Sequence, residues 1–131
     1  MKNGAKRPLQ GARLVGFAVT TDAARCRAFY EGKLGLRVQS DDALALVFDA
    51  HGSMVRIQKA RGHEPRPYTV LGWNVGDIEA TVAALVAAGV VCEQYGFPGQ
   101  DARGIASFPG GDRVAWFKDP DGNVLSVAQL V

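Results

Sequence analysis

The chain has 131 residues, of which 47% are hydrophobic and 21% are charged, so it can bury the core of one compact soluble domain. Its formal net charge of +2 and its scattered lysines and arginines argue against a nucleic-acid-binding protein. The basic start lacks the apolar run of a signal peptide, and no segment approaches the roughly 20 apolar residues of a membrane span.

The sequence predicts that the first half of the chain contains one strand, one helix and then three more strands. The basic start predicts a flexible tail over residues 1–12, ahead of a single domain over 13–131. The apolar run RLVGFAVT predicts the first strand. In TDAARCRAFYEGKLGL, Asp22 is a good N-cap and Gly35 a helix terminator, with apolar residues between them at helical spacing. Alternating runs then predict strands over 36–40, 43–49 and 53–59.

The second half repeats this pattern after a linker, EPRP, that contains Pro65 and Pro67. YTVLGWNV predicts a strand, and GDIEATVAALVAAGVV predicts a helix from the cap Asp77 to Gly89. Strands are predicted over 90–97, 104–108, 113–118 and 124–129, with DPDG as the last turn. The repeat predicts an α+β fold of two βαβββ modules, about 13–62 and 68–131. They form a cupped mixed sheet with the helices on its outer face.

Three stretches of the chain also carry a family resemblance. TTDAARCRAFYEGKLGL, VGDIEATVAALVAAGV and AWFKDPDGNVLSV occur in an order and at separations that resemble those of the vicinal oxygen chelate superfamily. That superfamily contains glyoxalase I, the bleomycin resistance proteins and the extradiol dioxygenases. The resemblance implies an eight-stranded cupped sheet, a small-molecule site in the cup and a homodimer. It leaves open whether the cup forms within one chain or across two.

The resemblance also indicates where a metal would be held. The metal enzymes of the superfamily use His and Glu side chains on the first and last strands of each module. The corresponding residues here are Val15, Val70, Ser126, and either Arg56 or Gln58. A divalent ion needs carboxylate oxygens or imidazole nitrogens from about three protein groups, which these residues do not supply. We therefore expect no metal and no other cofactor.

The candidate ligand-binding residues follow from strand alternation, which turns Arg56 and Gln58 toward the cup. The full predicted set is Phe17, Phe48, Arg56, Gln58, Asn74, Trp116 and Ser126. A guanidinium in an apolar cup can bind a carboxylate or phosphate, although an internal salt bridge or a position at the rim would explain Arg56 equally well. Core packing is the alternative for Phe48 and Trp116. The loop over 98–104 is either a lid or a mobile connection.

These observations predict a cytoplasmic, metal-free binding protein of the bleomycin resistance type, which sequesters or carries a small aromatic or anionic compound. The alternative is an enzyme acting on a small molecule in the same cup: a glyoxalase-like lyase, an isomerase or a dioxygenase. An enzyme without metal would use polar cup residues to stabilise an oxyanion. The expected partners are a small-molecule ligand and a second copy of the chain, and neither nucleic acid nor a membrane is expected.

Overall fold

The computed structural model describes residues 7–131. The predicted tail over residues 1–12 therefore lies partly outside the described residues, and its remaining part, residues 7–12, forms exposed turns. No helix within residues 7–131 combines the length and the apolar character that crossing a membrane requires.

The first module contains strands β1 (Val15–Thr20), β2 (Arg37–Asp41), β3 (Ala45–Ala50) and β4 (Ser53–Lys59). Helix α1 (Ala23–Arg27) follows β1 and continues as a π-helical segment, Ala28–Lys33. The predicted N-cap is confirmed, because the Asp22 carboxylate accepts a hydrogen bond from Arg25 N at 3.1 Å.

The second module contains β5 (Thr69–Asn74), helix α2 (Ile78–Ala87), β6 (Ala106–Ser107), β7 (Arg113–Lys118) and β8 (Val124–Gln129). Asp77 caps α2 by accepting from Ala80 N at 3.0 Å, as predicted. The hydrogen-bonded ladders form two four-stranded mixed sheets, with the strand orders β1-β4-β3-β2 and β5-β8-β7-β6. In each sheet the first and last strands of a module pair in parallel. This confirms an α+β fold of two βαβββ modules.

The predicted strand over 90–97 is wrong, since this stretch makes only one isolated bridge, between Cys92 and Phe117. Gly96 has φ +75°, which turns the chain out of an extended path. Hydrogen bonds from the side chain of Gln100 then replace the backbone hydrogen bonds that a neighbouring strand would make. Its amide donates to Glu93 O and to Gly104 O, both at 2.9 Å. The stretch is therefore a loop held by one partly buried side-chain amide rather than a sheet strand.

The two sheets share one core. Tyr30 stacks on Phe48 of β3, with ring centroids 5.5 Å apart, and donates a 2.6 Å hydrogen bond to Asp119 just beyond β7. The ring of Phe29 lies 6.4 Å from that of Phe117 on β7. The same helical segment thus packs on the helix-bearing face of each sheet, and buried residues of both sheets form one hydrophobic cluster. We call the opposite face of each sheet its cup face.

The DPDGN turn before β8 joins the modules. Its predicted tight geometry is confirmed by the positive φ of Gly122, +85°. The Asp121 carboxylate accepts hydrogen bonds from Thr20 Oγ1 at 2.6 Å, Thr21 N at 2.9 Å and Thr21 Oγ1 at 2.7 Å. Asn123 is buried and donates to Val19 O at 2.9 Å. The acidic turn thus anchors the second module to the end of β1.

Candidate ligand-binding site

The cup face of the first sheet brings three of the predicted residues together. Phe17 on β1 is directly opposite Arg56 on β4, and Gln58 is two residues further along β4. These three side chains line a cavity of about 230 Å³, together with Leu44, Ala45 and Lys59. Phe17 is 59% exposed although it is a large apolar residue. The cavity therefore combines an exposed aromatic ring with a cation and an amide.

Arg56 has no ion pair and no side-chain hydrogen bond with the rest of the described chain, although it is half-buried. By contrast, Arg113 pairs with Glu79 at 3.0 Å on the surface. The internal salt bridge considered for Arg56 is thus not formed among residues 7–131. A half-buried guanidinium without a protein acceptor is ready to bind an anion.

The cup face of the second sheet has a row of small and polar groups across three strands. Ser126 on β8 lies between Gly72 on β5 and Trp116 on β7. A Cβ on Gly72 would lie 2.7 Å from Ser126 Oγ, so only glycine keeps this row open with the present serine rotamer. Asn74 is two residues further along β5, and its Oδ1 accepts from Leu130 N at 3.3 Å.

Aromatic rings surround Trp116 on this face. Its ring centroid lies 5.6 Å from that of Tyr95 and 5.3 Å from that of Phe97, and Phe97 lies 6.2 Å from Phe108. The side chains of Tyr95, Phe97 and Phe108 are 39% to 45% exposed. We call these three residues and Trp116 the aromatic cluster. Partly exposed aromatic rings at these separations offer faces and edges on which a planar ligand can stack.

The loop that carries Tyr95 and Phe97 is held by hydrogen bonds at several points. Asp101 Oδ1 accepts from Arg103 N at 2.9 Å and from Ile105 N at 3.0 Å. Arg103 also pairs with Glu79 of α2 at 3.1 Å. These contacts, with those of Gln100, hold the backbone beneath the rings in place.

Sequence reasoning did not identify Tyr95, Phe97 and Phe108 as site residues. Tyr95 and Phe97 fell within the segment interpreted as a strand, and Phe108 stood in a predicted hairpin. The available signal was the composition of YGFPG, in which two aromatic residues alternate with turn-forming residues. An aromatic residue in such a turn has little access to its own core and is left near the surface.

Phe48 is the one predicted residue that the structure places elsewhere. It is fully buried and pairs in register with Val55, whose side chain points into the shared core. It therefore lies on the face opposite Arg56. The other six residues lie on cup faces, with Phe17, Arg56 and Gln58 on the first sheet and Asn74, Trp116 and Ser126 on the second. The two groups therefore lie on different sheets, each on the face away from the shared core.

The fold and the site define a class of proteins: paired βαβββ modules whose sheets each have an open face lined by polar and aromatic side chains. The chain belongs to the glyoxalase/bleomycin resistance protein/dioxygenase superfamily, whose sequence model matches residues 13–127. No curated protein matches the chain.

Three solved structures illustrate the shared fold. A superfamily member from Sphaerobacter thermophilus has a TM-score of 0.72 and 22% identity, over 92% of this chain and 98% of that one. A bleomycin resistance determinant encoded on transposon Tn5 has a TM-score of 0.71 and 20% identity, over 90% and 97%. TnmS3, an antibiotic-binding protein from Streptomyces sp. CB03234, has a TM-score of 0.68 and 20% identity, over 92% and 97%.

The side chains do not fit the metal that enzymes of this superfamily hold. Val15 and Val70 have no donor atoms, and Ser126 offers a neutral hydroxyl. Within residues 7–131, no three His, Cys, Asp or Glu side chains come together as a metal site would require. His63 is engaged instead with Asn123 Oδ1 at 2.6 Å, and His51 lies exposed in the β3–β4 turn.

Proposed function

We propose that the protein acts in the cytoplasm as a metal-free binding protein that sequesters or carries a small aromatic or anionic compound. The observation that carries this proposal is that one open sheet face holds the aromatic cluster, while the other holds a half-buried Arg56 that forms no ion pair within residues 7–131. Stacking on a ring tolerates many planar ligands, whereas a partly desolvated guanidinium favours an anion. The likeness in fold to a bleomycin resistance determinant and to an antibiotic-binding protein supports ligand sequestration.

We further propose that the complete cup forms across a homodimer. In one chain the Arg56 face and the Trp116 face belong to different sheets, each on the side away from the shared core. A two-fold symmetric pair would place the first cup face of one chain against the second cup face of the other, making two equal sites. The exposed apolar residues of the first cup face support this arrangement, since Phe17 and Met54 are 59% and 39% exposed.

The test of ligand binding uses calorimetry with two matched planar probes, naphthoate and its neutral amide. The parent protein should bind naphthoate more tightly, because only the acid forms a charge-assisted hydrogen bond with Arg56. Arg56→Met should weaken naphthoate binding by about 1.5 to 3 kcal/mol and leave the amide nearly unchanged. Arg25→Met, which removes an exposed guanidinium on α1, is the matched control. Absence of binding by both probes in the parent would contradict the proposed function.

The metal-free assignment is tested by thermal unfolding. A ligand that binds only the folded state raises stability by RT ln(1 + [L]/Kd). Zinc, nickel, manganese and iron(II) should therefore leave the unfolding temperature unchanged, and elemental analysis should find no stoichiometric metal in the purified protein. A bound metal together with a rise of several degrees would contradict the assignment.

A further inference from the structure

A recess of about 260 Å³ lies beside the aromatic cluster, where β7 ends and β8 begins. Its lining residues are Pro65, Arg66, Pro67, Tyr95, Lys118, Gly122 and Val124. The linker packs directly on the turn, because a Cβ on Gly122 would lie 3.0 Å from Pro65 Cγ. Lys118 is two residues beyond Trp116 on β7, so strand alternation places both on the cup face. The recess therefore extends the second cup face.

Three hydrogen-bond donors line this recess: Arg66, Lys118 and the phenol of Tyr95. Burial raises the pKa of Tyr95, and the negative charge of Glu93 raises it further, so the phenol keeps its proton at neutral pH. Within residues 7–131 the Tyr95 hydroxyl has no hydrogen-bond partner.

The acidic partners of the two cations are loosely placed. Glu93 Oε1 lies 3.8 Å from Lys118 Nζ, and Glu64 Oε1 lies 3.8 Å from Arg66 Nη1. Both distances exceed hydrogen-bond length, and both cations are about half exposed, so these pairs are weak. The ammonium and guanidinium therefore retain donors for an incoming anion.

We infer that Arg66, Lys118 and Tyr95 form an anion subsite, separate from Arg56, for an acidic group on a ligand whose ring stacks on the aromatic cluster. This inference rests on the proposed function. Because Arg56 belongs to the other sheet, the two cationic positions lie on opposite walls of the proposed cup. The ligand class that satisfies both walls is a planar aromatic compound with two acidic groups, one at each end.

Calorimetry with a third probe, a naphthalene dicarboxylate with its acids at opposite ends, tests this inference. The parent should bind the diacid more tightly than naphthoate. Lys118→Met should remove most of that advantage and weaken diacid binding by about threefold to tenfold. This range lies between the contribution of an exposed ion pair and that of a desolvated hydrogen bond to a charged group. Glu93→Gln should strengthen diacid binding, because it removes the competing carboxylate. Added salt should reduce both effects.

Lys33→Met, which removes an exposed lysine from the helical layer, is the matched control and should behave as the parent. Lys118→Gln provides a second variant, and thermal unfolding verifies that each variant folds. If the diacid keeps its advantage in both Lys118 variants, the anion subsite is wrong. The proposed function would still stand in that case, provided that the parent prefers naphthoate to its amide and Arg56→Met abolishes this preference.

Discussion

Asp121 shows how much a single side chain contributes in this small domain. Burial opposes its ionisation, but the hydrogen bonds from Thr20 and Thr21 prevail and hold the pKa of this carboxyl below its usual range. A carboxyl whose pKa is lower in the folded state than in the unfolded state stabilises the fold only while it is ionised. Its contribution is complete well above the unfolded pKa of about 3.9 and is lost as the pH falls through the lower, folded-state pKa.

We therefore predict that Asp121→Asn lowers the free energy of unfolding at neutral pH by about 1 to 3 kcal/mol, the range for hydrogen bonds to a charged group. The difference between parent and variant should shrink as the pH falls from about 5 to about 2, where the parent carboxyl becomes protonated. Denaturant unfolding at several pH values measures both effects. A difference that stays constant over this range would mean that the charge of Asp121 does not stabilise the link between modules.

At the scale of the element, the loop over residues 93–104 determines the site more than any strand does. Gln100 is its central residue, since its amide donates to two backbone carbonyls and its oxygen accepts from Tyr95 N at 2.9 Å. These bonds fix the backbone on both sides of the turn that holds Tyr95 and Phe97 beside Trp116. Removing them leaves backbone groups unpaired, which is costly where water has poor access.

Gln100→Ala should therefore destabilise the protein by about 1 to 3 kcal/mol and weaken the binding of planar probes more than that of non-aromatic ones. Amide hydrogen exchange should increase in residues 93–104 before it increases in β7 or β8. Gln39→Ala, on the exposed edge strand β2, is the control and should change neither property. Unchanged exchange in the loop would show that other contacts hold the aromatic rings.

Strand alternation explains what the sequence could and could not predict of these elements. Strands 53–59, 113–118 and 124–129 occupy the predicted residues, because more and less buried side chains alternate over most of their length. Strand β3 is different, since its cup face and its core face are both buried over Ala45–Phe48. Its pattern therefore carries no information about which face Phe48 occupies. The aromatic cluster depends on how a loop folds over β7, and local spacing does not encode that contact.

At the scale of the whole molecule, the shared core determines how the cup can be built. Tyr30 stacks on Phe48 of the first sheet and Phe29 packs near Phe117 of the second, so one helical segment joins the core-facing sides of both modules. In the proposed dimer, a ligand that touches Arg56 of one chain would stack on Trp116 of the other. A cup shared between two chains makes a sharper prediction than the molecular mass alone.

We predict that mixing two defective variants restores ligand binding. Arg56→Met lacks the cation in both sites of its own dimer, and Trp116→Ala lacks the aromatic wall in both of its sites. In a mixed dimer, one site combines both defects, whereas the other combines the intact Arg56 face of one chain with the intact Trp116 face of its partner. Subunit exchange should therefore restore tight naphthoate binding to one site of every mixed dimer.

Light scattering on the parent should first give twice the chain mass of 13.9 kDa. Two distinguishable tags then allow the mixed dimer to be purified and its binding stoichiometry to be measured by calorimetry. Each unmixed variant is the control and should bind weakly at both sites. One tight site per mixed dimer is the signature of a cup shared between chains, because sites contained within single chains would each keep one defect. A mixed dimer without a tight site, or a parent that stays monomeric at micromolar concentration, would contradict the shared cup.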